Sequence, residues 1–278
     1  MNISTALASA ADRLKTAGVA DPRREAASLL ALALDKPNTF LIAHPEYELT
    51  TDESALFESH IARREKREPF QYIAGKQEFY GLDFEVTPAV LIPRPETEIL
   101  VEEAIKELTK LDNPSFCEVG IGSGCISVSI LTNVPNATAV ATDISAEAIK
   151  VARRNATRHN VAKRLTLIEG DLFTGVAGKF DMIVSNPPYV PDGDLTDMQA
   201  EVRDYEPPSA LFAGRDGLDI VRRVIDEAPE YLKSGGPLLM EIGEMQHSEI
   251  NPISACWCDA TYFKDLQGIA RTMKAVRR

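Results

Sequence analysis

The sequence predicts an α/β fold: a seven-stranded, mostly parallel sheet with an antiparallel last strand, preceded by a small all-α domain. Three observations lead there. From Ser115 onward, short apolar runs alternate with segments of helical length, the pattern of a parallel sheet covered on both faces. The last two apolar runs are separated only by a short stretch around Asp265-Leu266-Gln267-Gly268. That is too short for a crossover helix, so these strands form a hairpin and one of them opposes the rest. Before about Ala74 the periodicity is helical.

In chain order, Leu7, Ala10, Ala11, Leu14 and Ala17 fall on one helical stripe, which Gly18 stops. Ala26, Leu29, Leu30, Ala33 and Leu34 form a second stripe, and Asp21-Pro22 supplies a cap followed by proline. Thr51-Asp52-Glu53 opens a later helix. Residues 1–74 are therefore expected as a helical domain. Residues 75–90 follow as a hairpin linker that pairs Gln77-Glu78-Phe79-Tyr80 with Asp83-Phe84-Glu85-Val86. Residues 91–278 carry the sheet. Its strands are expected at Phe116–Val119, Thr138–Thr142, Leu165–Glu169, Phe180–Ser185, Pro237–Ile242, Thr261–Lys264 and Arg271–Ala275. Helices are expected at Cys125–Leu131, Ala146–His159, Gly217–Leu232 and briefly near Gln246. There is no internal repeat and no low-complexity tract.

The chain has 278 residues, 44% of them apolar, and a formal charge of −12. Such an acidic balance disfavours nucleic acid held on a broad basic face, which rests on many Lys and Arg neutralising phosphates. The four cysteines, Cys117, Cys125, Cys256 and Cys258, are too few and too apolar in setting for a disulfide framework. Cys256 and Cys258 flank Trp257 at strand spacing and are expected on one face of a buried strand. Zinc needs further ligands at fixed spacing, and none is visible, so no metal is expected. No signal peptide and no apolar run of membrane-spanning length is evident, which points to the cytoplasm. His44, His60, His159 and His247 lie outside every motif and read as surface or structural residues.

Glu118-Val119-Gly120-Ile121-Gly122-Ser123-Gly124 links a strand to a helix. Glycines there permit a tight turn and let backbone approach a ligand closely. The next strand ends in Asp143, a carboxylate placed to accept both hydroxyls of a ribose. The whole turn, Ile121 and Ser123 included, is therefore assigned to a nucleotide-type cofactor. Its spacing is G-x-G-x-G rather than the G-x-G-x-x-G of pyridine-nucleotide proteins. The acid at Glu118 would repel a pyrophosphate but can accept from an ammonium. S-adenosylmethionine carries an ammonium and a sulfonium and no phosphate, so electrostatics favour it. Asp171, followed by Leu172, either accepts the adenine amino group while the apolar residue walls the ring, or merely caps a strand end. In Ile92-Pro93-Arg94-Pro95-Glu96-Thr97-Glu98, Thr97 stands near a helix start, where free N–H groups attract a carboxylate.

Asn186-Pro187-Pro188-Tyr189 follows the apolar run Met182-Ile183-Val184. Two prolines remove backbone donors and push Asn186 toward extended geometry. Carbonyls there remain free acceptors, and the Asn186 side-chain oxygen adds another. Converging acceptors suit a planar NH2 group, and Tyr189 offers an aromatic wall to stack on it. Asn186, Pro187 and Tyr189 are the expected catalytic residues. With Pro188 they form the expected substrate site, and Asn186 also borders the cofactor.

With these motifs the chain resembles the release-factor glutamine methyltransferases, seven-stranded class I enzymes dependent on S-adenosylmethionine. The resemblance spans nearly the whole length. It includes Gln71-Tyr72-Ile73-Ala74-Gly75, the Ile92–Glu98 stretch, the glycine turn and Asn186–Tyr189. It continues through Glu206–Leu211 and Phe212–Asp219 and ends at Asp265–Arg271. It implies N5-methylation of the glutamine in the Gly-Gly-Gln loop of bacterial class I peptide chain release factors by a monomer, with the helical domain helping to dock that protein. Arg63, Arg64, Lys66 and Arg67 are one candidate contact patch. The family usually has Asp where this chain has Glu118, and often an aromatic where Leu172 stands. A glutamine methyltransferase acting on a ribosomal protein would share nearly the same catalytic parts. Asn-Pro-Pro-Tyr also occurs in adenine methyltransferases acting on DNA, but these need a basic target-recognition region.

Overall fold

In the computed structural model, which describes residues 1–196, 198–244, 246–250 and 256–278, the chain begins with packed helices. They are α1 (Ile3–Thr16), α2 (Pro22–Leu34), α3 (Asn38–Ala43), α4 (Thr51–Glu65) and α5 (Phe70–Ala74). Local chemistry sets two of their starts, whereas Asp21, expected to cap α2, makes no side-chain cap bond. The Asn2 side chain accepts from the Thr5 amide to cap α1, and Thr50 with Glu53 forms a reciprocal capping box on α4. The second stripe is buried as expected, from Ala26 to Leu34. On α1 the buried face is Ile3, Ala6, Ala10, Ala11 and Leu14, with Leu7 and Ala17 only at its margin. Ile3 and Ala6 extend that face toward the N-terminus, and it keeps Ala10, Ala11 and Leu14 of the expected stripe.

A hairpin follows, β1 (Lys76–Phe79) and β2 (Leu82–Glu85). Each strand starts one residue earlier than expected, because Tyr80 and Gly81 form the turn, both at positive φ. Then come α6 (Glu98–Leu108), β3 (Ser115–Val119), α7 (Cys125–Asn133), β4 (Thr138–Asp143), α8 (Ala146–Arg158), β5 (Leu165–Glu169) and β6 (Met182–Ser185). The chain ends with α9 (Ala200–Tyr205), α10 (Asp219–Tyr231), β7 (Pro237–Glu241), β8 (Trp257–Lys264) and β9 (Ala270–Arg277). The helix expected from Gly217 starts at Asp219, since Gly217 has φ +73° and cannot be helical. Near Gln246 there is only a single 3-10 turn.

The seven strands run in the order β5-β4-β3-β6-β7-β9-β8. All pairings are parallel except those of β9, which opposes both β7 and β8. The central strands are buried on both faces: every residue of β6 is buried, and so are Phe116 to Val119 of β3. One apolar cluster packs around Phe116, Leu100 and Val128, and the other around Ile183, Val224 and Trp257. The strand order reverses between β3 and β6, which places the crevice at their carboxyl ends.

Two expectations are corrected here. Cys256 and Cys258 are both exposed, while Trp257 between them is buried and donates its indole N–H to the Ile225 carbonyl. The large indole claims the core face at the start of this edge strand, and its two neighbours are left facing outward. The arginines at the end of α4 and just beyond it are not a free patch either. Arg63 pairs with Glu68 at 2.5 Å. Arg64 is buried and pairs with Glu25 at 3.0 Å and Glu201 at 2.9 Å. Arg67 reaches Glu201 at 2.6 Å.

Those bonds show where α9 belongs. The chain divides into two compact units, residues 1–76 with 199–205, and residues 77–198 with 206–278. Helix α9 thus lies in the helical unit, where Tyr205 also donates its hydroxyl to the Lys66 carbonyl at 2.6 Å. Nothing in its local sequence announced this. No helix of the described residues is long and apolar enough to cross a membrane.

Candidate active site

At the carboxyl ends of β3, β4 and β6 lies a cavity of about 350 Å³. Gly120, Ile121, Gly122 and Ser123 line one side, with Glu118 beneath them. Gly120, Gly122 and Gly124 all have positive φ, which is why glycine occupies each. The turn is pinned to the neighbouring strand, because the Gly120 and Ile121 amides both donate to the Thr142 carbonyl at 2.9 Å. Gly124 does not line the cavity. It precedes α7, and a Cβ there would stand 3.3 Å from Ala152 on α8.

Glu118 is fully buried. Its Oε2 accepts from the amide of Ser127 at 3.0 Å and from the Ser127 hydroxyl. Its Oε1 faces no donor among the described residues. Burial pushes this carboxyl up to about 8; the Ser127 bonds oppose the rise and Asp143 adds to it. Asp143 lines the cavity one strand over. Its Oδ2 accepts from the Gly122 amide at 2.8 Å and its Oδ1 from the Ser145 amide at 2.9 Å. Burial raises its pKa despite these two bonds. Each oxygen keeps a lone pair for a ligand hydroxyl.

Asp171 and Leu172 also line the cavity. Asp171 is partly committed elsewhere, since Arg223 holds its Oδ2 at 2.8 Å. Leu172 is buried at φ +47°. A leucine held in the left-handed region costs on the order of 1–3 kcal/mol, strain of a kind that gathers at functional sites.

Opposite stand Asn186, Pro187 and Pro188. Among the described residues, no donor reaches the Pro187 carbonyl. The Asn186 Nδ2 donates to the Thr97 hydroxyl at 3.2 Å. Thr97 lines the cavity and is buried at the start of α6. Rather than exposing helix amides to a carboxylate, it donates its hydroxyl to Glu241 at 2.5 Å. Tyr189 departs from its expected place. It lies outside the cavity lining, its ring packs against the second apolar cluster, and its hydroxyl donates to Glu241 at 3.1 Å. Gln246 caps its carbonyl at 3.0 Å, so the end of the tetrapeptide is held rather than free to close on a ligand.

Three residues of the site escaped the sequence reading. Ser127 holds Glu118, and its only signal was a hydroxyl in the first turn after the glycines. Glu241 ends β7, as an acid closing an otherwise apolar strand. Arg94 lines the cavity and pairs with buried Glu206 at 2.5 Å; the partners lie 112 positions apart. No cluster of His, Cys, Asp and Glu that could hold a metal occurs among the described residues.

Residues 5–75 match the PrmC N-terminal domain, and residues 96–202 match the methyltransferase small domain. A release factor glutamine methyltransferase of Geobacter sulfurreducens is 44% identical over 92% of this chain and 90% of its own. One from Koribacter versatilis is 41% identical over 98% of both. Among solved structures, a 16S rRNA methyltransferase of T. thermophilus, solved with AdoMet and guanosine, superposes with a TM-score of 0.55 at 14% identity. The match covers 73% of this chain and 50% of that one, a likeness of fold alone. Identity above 40% over nearly the full length, together with both domain matches, settles the family: the chain belongs to the release factor glutamine methyltransferases.

Proposed function

We propose that the protein methylates the side-chain amide nitrogen, N5, of the glutamine in the Gly-Gly-Gln motif of bacterial class I peptide chain release factors. The observation that carries this is the pairing of acceptors at the cavity wall: the Asn186 side-chain oxygen and the Pro187 carbonyl. An amide nitrogen is a poor nucleophile, because its lone pair is delocalised into the carbonyl. Two acceptors, one for each hydrogen, orient that nitrogen and favour its pyramidalisation. Positioning of this kind contributes roughly 7–11 kcal/mol at best. The methylated amide cation sheds its proton readily, so no strong general base is needed.

S-adenosylmethionine supplies an electrophilic methyl group. The residues present fit it. The unpartnered, fully buried Oε1 of Glu118 suits an ammonium, and Asp143 keeps lone pairs for ribose hydroxyls. Leu172 and the exposed Ile144 give the same end of the cavity apolar walls. The chain's own groups thus bind and orient, and the prolines hold the acceptors in place. The helical unit would serve to grip the large protein substrate.

Purified class I release factor, incubated with this protein and S-adenosylmethionine, gains 14 Da on the glutamine of its Gly-Gly-Gln loop, read by tandem mass spectrometry. Methylation of a ribosomal protein or of DNA adenine in place of the release factor would overturn the assignment.

A further inference from the structure

Glu241 is fully enclosed at the end of β7, and nothing in the proposed reaction uses it. A buried acid in such a place needs partners, and it has two: the hydroxyls of Thr97 and Tyr189. A threonine hydroxyl has one hydrogen. Since Thr97 gives it to Glu241, Oγ1 is left to accept from Asn186. An asparagine amide is nearly symmetric in shape, and its partners decide which way it faces. Here the nitrogen is required on the Thr97 side, so the oxygen faces away from it. An inverted Asn186 would set its own NH2 against the NH2 of a substrate amide.

We infer that Glu241 is a positioning residue for methyl transfer: through Thr97 it fixes the Asn186 amide with its oxygen toward the substrate nitrogen. This rests on the reading of Asn186 as an acceptor for the substrate amide. The same carboxylate holds the Tyr189 hydroxyl, so one buried acid ties down both ends of the tetrapeptide that follows β6.

Only the carboxylate form compels Thr97 to donate. A protonated Glu241 can itself donate to Thr97, which frees the hydroxyl hydrogen for the Asn186 oxygen. Burial, opposed by the Thr97 and Tyr189 bonds, pushes Glu241 up to about 7. The other groups bearing on it are Glu96, which raises it, Arg271 on β9, which lowers it, and the Cys125 thiol at the start of α7. Turnover at saturating cofactor is therefore lost as pH falls through about 7.

The test compares Glu241→Gln, Thr97→Val and Thr97→Ser with the natural protein on an intact class I release factor. Glu241→Gln and Thr97→Val each lower kcat by about tenfold or more, while affinity for S-adenosylhomocysteine stays within about threefold. Thr97→Ser, which keeps the hydroxyl, restores kcat. The acid limb near pH 7 is absent from Glu241→Gln. A readout free of methylation accompanies these: the Asn186 side-chain amide protons, assigned by their loss in Asn186→Ala, exchange faster with solvent in Thr97→Val. If Glu241→Gln does not fold, the isosteric Thr97→Val and its serine counterpart decide. Unchanged kcat in Thr97→Val, or an acid limb persisting in Glu241→Gln, overturns the inference. If the natural protein methylates no release factor, the substrate assignment fails by itself, and the exchange rates still decide the relay.

Discussion

Arg64 and Glu201 lie 137 positions apart and meet at 2.9 Å inside the helical unit. The arginine side chain is only 5% exposed and the glutamate 15%, so neither charge keeps its full hydration. Arg67 closes on the other carboxylate oxygen at 2.6 Å. A segment that follows the reactive tetrapeptide by ten to twenty residues is thereby built into the bundle of the first 76.

Removing Glu201 should strand that arginine pair. Glu201→Ala is expected to destabilise the protein by about 3 kcal/mol, the usual cost of breaking a buried ion pair from one side, partly relieved by Glu25 on Arg64. Burial raises the Glu201 pKa, but Arg67 and Arg64 outweigh it and hold it below the usual carboxylate range. This pair therefore stabilises the fold above the ordinary carboxylate range, and its share is lost as pH falls through the depressed value. Thermal melts of both forms at pH 7 and pH 3.5 check this. An equal gap at the two pH values would remove the ion pair from the account.

Glu118 gives the opposite sign. Its pKa, pushed up to about 8, means that the unliganded fold keeps a proton that the unfolded chain gives up near its ordinary value. Stability from this group accordingly declines as pH rises from the ordinary carboxylate range toward 8. An incoming ammonium needs the carboxylate, so binding of S-adenosylhomocysteine should release a proton at pH 7. Affinity should strengthen between pH 6.5 and 8. Calorimetry in two buffers of different ionisation enthalpy measures the released proton directly. Glu118→Gln should abolish the release, weaken binding and leave the unliganded melt unchanged or higher.

Asn186→Ala should lower turnover by about a hundredfold or more, since a reacting group misplaced by an ångström already loses that much. Cofactor affinity should change little, because the work proposed for this side chain is on the substrate. Asn186→Asp should also be slow. A carboxylate there attracts a sulfonium in the ground state without selective help to the transition state. Methyl transfer near the natural rate in Asn186→Ala would sink the assigned role.

Gly217 stands behind the tetrapeptide at φ +73°. A Cβ there would press on the Tyr189 carbonyl and stand 3.0 Å from the Pro191 nitrogen. Both are backbone atoms, which cannot swing aside. Gly217→Ala is expected to cut kcat by about a hundredfold through displacement of the loop, with S-adenosylhomocysteine affinity kept, since the glycine turn rides on another strand. Parallel loss of affinity and turnover would instead indicate a general collapse.

How much of this was legible beforehand depended on distance along the chain. The glycine turn, Asp143 and Asn186 to Pro188 could be read because their chemistry is local: prolines and glycines dictate backbone wherever they stand. All of them except Gly124 line one cavity. Partners that meet only through folding could not be read. The run from Arg63 to Arg67 read as a candidate contact patch because Glu201 is invisible from there. Tyr189 looked like an open aromatic wall because Glu241, which captures its hydroxyl, lies 52 positions on. Strand spacing put Cys256 and Cys258 on a buried face, yet it cannot say which side faces water, and both are exposed. That was decided by Trp257, whose indole has more apolar surface to bury.

The return of α9 has a further consequence for how this architecture can be rearranged. The backbone passes between the two units at 76/77, 198/199 and 205/206, so the bundle is not an appendage that one scission removes. Deleting the first 70 residues would leave Glu201 and Tyr205 without Arg64, Arg67 and the Lys66 carbonyl. A chimaera that grafts this bundle onto another methyltransferase must carry residues 199–205 as well, as a second, non-contiguous insertion. Any exchange of this bundle is constrained in the same way: two distant stretches of gene have to travel together.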